Sequence, residues 1–183
     1  PVTLVNSHVS NSDDYGILSN NSYSFVTLDN SSCSNNASMG IRTENSYSPI
    51  TLNNSNVNDN GSLGIATYNS ESPIEVYSST VNDNGSYGVY TESSDSPITV
   101  YDSFINNNNS YGIRLNSSGN VDVKRTEIKN NGSYGMHIDA NVDVNLEHCI
   151  ISNNNGRGVY SEGRLYADNC VISNNNGHGL YSY

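Results

Sequence analysis

Tryptophan is absent, charged residues make up 14% of the 183-residue chain, and Lys and Arg together number only seven. The shortage of cations, with a net charge of -11 and a pI near 4.4, excludes a nucleic-acid partner, because neutralising a phosphate backbone takes clustered Lys and Arg. Cysteine is nearly missing as well. Cys33, Cys149 and Cys170 form an odd set without CxxC spacing, which signals neither a disulfide framework nor a zinc site. No apolar run approaches the roughly 18 residues needed to cross a bilayer, and no cleavable signal sequence stands at Pro1. A hydrophobic fraction of 34% is too low for a spherical core of ordinary kind.

What is abundant is Asn, Ser, Gly and Tyr, in a pattern that repeats. The pairs Gly16-Ile17, Gly40-Ile41, Gly64-Ile65, Gly88-Val89, Gly112-Ile113, Gly135-Met136, Gly158-Val159 and Gly179-Leu180 are spaced 24, 24, 24, 24, 23, 23 and 21 residues apart. A period in this range marks a solenoid, in which each repeat buries its apolar edge only against its neighbours. Seven positions before each Gly stands Val9, Cys33, Val57, Val81, Ile105, Ile128, Ile151 or Ile172, apolar in every copy. Fourteen and twelve positions before it are apolar-x-apolar pairs such as Ile74/Val76 and Ile98/Val100, the period-2 signature of a short strand with one buried face. A small residue, from Ser7 and Ser31 through Thr126 to Cys149 and Cys170, lies nine before the Gly. A third strand begins at the Gly-aliphatic pair.

Three short strands per coil of 21 to 24 residues predict an all-β, right-handed, single-stranded parallel β-helix of eight coils, one solenoid over residues 1–183. Disorder, which biased polar sequence would otherwise suggest, gives no reason for apolar residues to fall in register eight times. Between the second and third strands run two columns of Asn or Asp, for example Asp59/Asn60, Asp83/Asn84 and Asn107/Asn108. Asn tolerates the left-handed backbone region and, stacked at the strand spacing, bonds from coil to coil as a ladder. The motif predicts a corner. Pro1, Pro49, Pro73 and Pro97 precede the first strand of their coils, where no ladder N–H is required. With no helical cap readable at either end, the expectation is a segment of a longer solenoid, or a unit that stacks end to end.

The pattern apolar-x-apolar, Ser-x-Ile/Val-x-Asn-Asn, Gly-Ile/Val, as in "ITVYDSFINNNNSYGIRL" from Ile98, resembles the right-handed parallel β-helix repeats of the pectate-lyase-like superfamily. The resemblance covers the whole chain. It implies polysaccharide as a recurring partner, by analogy of fold. In its low charge and regular coils the chain is most similar to the adhesin-like surface proteins of that group. The expected function is therefore a structural or adhesive rod about 38 Å long, from eight coils at the strand spacing. The expected place is extracellular or at the cell surface, with self-association end to end or side by side. The alternative is a polysaccharide-active enzyme of lyase, hydrolase or epimerase type, or its glycan-binding module.

Several residues are candidates for sites. Tyr15, Tyr87, Tyr111 and Tyr134 share the column before the Gly, while Tyr90, Tyr160 and Tyr181 share the column two after it. Alternation points both outward, as an amphipathic strip suited to sugar rings, another solenoid or a partner protein. The column alignment sets Lys124 beside Glu147 and Arg125 beside His148, so Lys124, Glu147 and His148 are the catalytic candidates, against a preferred reading as a solvated surface with one cross-coil ion pair. Asp59 and Asp83 face each other across one strand spacing, a weak calcium candidate because a calcium ion takes six or more oxygens. No other cofactor is indicated. Asn20, Asn30, Asn84 and Asn131 head Asn-x-Ser sequons, which matter only if the source glycosylates secreted proteins. Cys149 and Cys170 are expected as neighbours in the buried small column, packed as small hydrophobes.

Overall fold

The computed structural model of the protein describes residues 1–183 apart from 46, 69–70, 93–94, 117–118 and 140–141. The described residues form a parallel β-solenoid without helices. One eight-stranded sheet runs from Val2–Val5 through Val26–Asp29, Ile50–Asn53, Ile74–Tyr77, Ile98–Tyr101, Val121–Lys124 and Val144–Glu147 to Leu165–Asp168. A second eight-stranded sheet, here called the third face of the coil, runs from Ile17–Ser19 to Leu180–Ser182. Every pairing is parallel and joins equivalent repeat positions, as Ile74 with Ile98 and Val89 with Ile113. The register is fixed because a one-residue slip would turn the whole apolar set outward.

Burial follows the alternation. Strands Val26–Asp29, Ile74–Tyr77 and Ile98–Tyr101 bury every other residue, and one continuous core runs from Ile17 to Val159. Burying an Ile, Val or Leu side chain stabilises by about 1.5–3 kcal/mol. Stacking identical residues at successive coils lets a chain that is only one-third hydrophobic concentrate its apolar surface on the axis. The glycines of the Gly-aliphatic pairs serve this packing: a Cβ on Gly88 would stand 2.7 Å from the Gly112 carbonyl oxygen and 2.8 Å from Ile105 Cγ2.

The predicted Asn corner is present, and its two columns do different work. The first, from Asn11 and Asn35 through Asp59 and Asp83 to Asn174, has φ of 55–59° throughout, the left-handed region that Asn and Asp enter most readily. The second is buried. Asn36, Asn60, Asn84, Asn108, Asn131 and Asn154 each donate from Nδ2 to Oδ1 of the Asn one coil on, at 2.9–3.1 Å.

A second left-handed corner lies between the first sheet and the second strand, at Asn6, Asn30, Asn54, Ser78, Asp102, Arg125, His148 and Asn169. It has no uniform sequence. The small column just after it explains why: the N–H groups of Ser7, Ser31, Ser55 and Ser79 each donate to the hydroxyl of the next coil at 2.9–3.1 Å. The hydroxyls of Ser31, Ser55, Ser79 and Ser103 in turn donate to the carbonyl two residues back. The corner is held by that serine ladder, which leaves the corner residue itself free to vary.

The expected second strand is regular only near the ends of the solenoid, at His8–Ser10 and Ser32–Ser34 and again at Glu127–Lys129, Ile150–Ser152 and Val171–Ser173. In the intervening coils it shrinks to isolated bridges at Asn56, Thr80 and Phe104. Side-chain oxygens have taken over the ladder there: the N–H groups of Asn82, Asn106 and Lys129 donate to Oδ1 of Asn58, Asn82 and Asn106 at 2.8–2.9 Å.

Candidate functional site

The outer surface of the third face is built from three columns. The middle residue of each strand points outward, giving Leu18, Arg42, Ala66, Tyr90, Arg114, His137, Tyr160 and Tyr181 in successive coils. Beside it lies the residue before each Gly, where Tyr15, Met39, Leu63, Tyr87, Tyr111, Tyr134, Arg157 and His178 stand. On the far side are Glu44, Tyr68, Glu92, Asp139 and Glu162.

These columns interlock into an unbroken line of rings from the third coil to the eighth. Centroids are separated by 5.6 Å between Tyr68 and Tyr90, 5.4 Å between Tyr90 and Tyr87, and 5.1 Å between Tyr87 and Tyr111. Tyr134 and His137 continue it at 5.6 and 5.2 Å from Tyr111, and His137 meets Tyr160 edge-on at 4.7 Å. Tyr160 stacks on Tyr181 with planes 8° apart. Offset and edge-to-face contacts of this kind add about 0.5–1.5 kcal/mol each beyond burial.

Guanidinium groups lie among the rings. Arg42 sits 4.3 Å from the Tyr68 centroid and donates to the Tyr15 hydroxyl at 3.2 Å, so it carries the line back to the first coil. Arg114 lies over Tyr111, and Arg157 lies 4.2 Å from the centre of Tyr181. Two of these cations are neutralised, Arg42 by Glu44 at 2.6 Å and Arg114 by Asp139. Burial pushes the Tyr90, Tyr160 and Tyr68 phenols above their ordinary value, so these three hydroxyls are neutral at any physiological pH. His137 is held below its usual value, first by burial and then by Arg114, against the opposing pull of Asp139 at 2.7 Å.

The strip therefore brings together Tyr87, Tyr90, Tyr111, Tyr134, Tyr160 and Tyr181 as the repeat predicts, with Tyr15 joined through Arg42 and through the apolar patch of Met39, Leu63 and Ala66. The interleaved cations escaped sequence reasoning. Their signal was available, since Arg42, Arg114 and His137 occupy the same column as Tyr90.

The other candidates lie elsewhere. Lys124 is placed between Glu147 at 3.4 Å and Asp122 at 3.7 Å, and Glu147 reaches His148 Nδ1 at 3.5 Å. Asp122, Lys124 and Glu147, but not His148, border with Tyr166 and Asp168 an open depression of about 300 Å³ on the first sheet. This is a row of alternating charges on an outer face. Arg125 pairs bidentately with Asp102, at 2.6 and 2.8 Å, across the serine-ladder corner. Asp59 and Asp83 are exposed corner residues, and among the described residues no group of three His, Cys, Asp or Glu could hold a metal. Of the sequons, Asn20 and Asn30 are exposed. Asn84 and Asn131 are buried to within 1%, and their amide nitrogens donate inside the ladder. All three cysteines are free thiols. Among the described residues no helix is long and apolar enough to cross a membrane.

The chain matches a protein family described as "Right handed beta helix region" over residues 2–100 and 75–183. No curated protein and no solved structure matches it.

Proposed function

The chain belongs to the right-handed β-helix family, and we propose that it acts as a rigid extracellular rod at a cell surface, with its tyrosine strip lying against polysaccharide. The observation that carries this reading is the unbroken line of rings from Tyr68 to Tyr181 on one outer face. Half-buried tyrosine rings offer apolar faces to the C–H surfaces of sugars and polar tips to their hydroxyls. Ring-to-ring packing also fixes the strip before any ligand arrives, so little side-chain entropy is lost on contact. An acidic chain with few charged residues and high polarity suits the outside of a cell.

The test is retention of the purified chain on immobilised polysaccharides, with a triple variant Tyr87→Ala, Tyr111→Ala, Tyr134→Ala whose fold is checked by circular dichroism. Loss of retention in the folded variant is expected. A wild-type chain that binds no polysaccharide, or a variant that binds as well, overturns the reading. Filaments of isolated chains in electron micrographs that vanish in the triple variant would instead assign the strip to self-contact.

A further inference from the structure

Arg157 differs from the other cations of the strip. Arg42 and Arg114 each hold a carboxylate, whereas the Arg157 guanidinium pairs with no acid among the described residues. It rests on a floor of rings, 4.2 Å from the Tyr181 centroid and 5.3 and 5.6 Å from those of Tyr160 and Tyr134. A guanidinium laid on a ring keeps its N–H fork at the edge, free for a planar or tetrahedral oxyanion, and it does not lose its charge. Its neighbours leave room: Gly156 lies under the Tyr134 ring, and Gly177 stands beside the Arg157 side chain.

The distribution of charge along the rod supports the same end. Residues 1–110 contain eleven Asp and Glu but only Arg42 as a cation, a net of -10, while residues 111–183 contain seven acids and six Lys and Arg, a net of -1. An anionic ligand is repelled from the first four coils and meets near-neutral surface at the last ones.

We infer that the C-terminal end of the strip is a subsite for an oxyanion substituent, carboxylate or sulfate, carried by the polysaccharide, with Arg157 as its donor. This rests on the strip being a glycan surface. It makes binding directional, since the charged unit registers at Tyr181 and the uncharged units run back along the rings towards Tyr87.

The test compares dextran, carboxymethyl-dextran and dextran sulfate as ligands of the full chain, of Arg157→Gln and of the control Arg164→Gln, whose guanidinium belongs to a different surface pair with Asp143. The wild type should hold one or both charged polymers roughly tenfold more tightly than dextran, as expected for charge-assisted hydrogen bonds. Which of the two is preferred identifies the oxyanion. Arg157→Gln should bind all three alike and Arg164→Gln should match the wild type. In parallel, the Arg157 Nε–H resonance should shift saturably with sodium acetate or sodium sulfate at fixed ionic strength. A wild type that holds dextran and its charged derivatives equally, or an Arg157→Gln chain that keeps the preference, overturns the inference and leaves the glycan surface standing. Failure to hold any of the three overturns both.

Discussion

The side-chain amide of Asn84 donates to Oδ1 of Asn108 at 3.0 Å and to the Val57 carbonyl oxygen at 3.1 Å, while Oδ1 of Asn108 also accepts the Asn84 backbone N–H. Each ladder residue thus ties two coils together through several bonds at once, in a column buried from solvent. A rod of short strands has its polar edges closed by this column.

Asn108→Ala should cost about 3 kcal/mol, because it leaves the buried N–H of Asn84 without an acceptor and takes one bond each from the Asn84 amide, Asn131 Oδ1 and the Val81 carbonyl. Asn107→Ala, next to it on the exposed corner at φ 58°, should cost only about 1 kcal/mol, because Ala lacks the polar side chain that lets Asn tolerate the left-handed region. Chemical denaturation of the two variants checks the order. Equal losses would show that the corner conformation, not the ladder, holds the coils.

Thr43, Thr67 and Thr91 line the core side of the third face, and their buried hydroxyls lack a hydrogen-bond partner. Replacing such a group by an apolar one of the same shape removes the desolvation penalty. Thr67→Val should therefore raise the melting temperature, and the triple change should raise it further. A fall on single substitution would mean that the hydroxyl finds a partner in solution.

His137 titrates below its ordinary value of 6.5, so the unfolded chain takes up its proton at a higher pH than the folded one. Stability is then unaffected by His137 above about pH 6.5 and is lost as pH falls towards and through the folded value. His137→Phe keeps a ring in the strip and removes the proton. Its melting temperature should drop less than that of the wild type between pH 7.5 and 5; parallel profiles would refute the assignment.

Burial pushes the Cys33 thiol up to about 12 and the Cys149 thiol up to about 11, while Cys170 is half-buried in the last coil. Iodoacetamide at pH 8 should label Cys170 first and leave Cys33 untouched until the chain unfolds, because the thiolate is the reactive form. Peptide mass mapping reads the order directly. Labelling of Cys33 in the folded state would place it outside the core.

The eight-coil solenoid, the inward Ile and Val columns and the Asn corner were legible because each rests on one residue type recurring at one position. Val81, Asn84 and Gly88 each sit where steric fit admits few alternatives. The second corner was not legible. Ser78, Asp102, Arg125 and His148 share a left-handed backbone without sharing chemistry, because Ser79 and its stack hold the turn for them. The retreat of the second strand was also hidden, since it depends on whether Asn58 Oδ1 or a main-chain carbonyl reaches Asn82 N–H, and both options carry the same sequence pattern.

The sequence by itself determined the repeat, the register and which tyrosines face outward, since alternation along a strand and period along the chain are both local. Tertiary structure decided what the outward residues do to one another. Residues 21 to 24 apart in the chain come to lie one strand spacing apart, so only the wound coil brings Arg157 over Tyr181, sets His137 among three tyrosines and seals Asn84 and Asn131 from solvent. Cross-coil contact distances, and the burial that follows from them, are properties of the stacked solenoid and not of any single repeat.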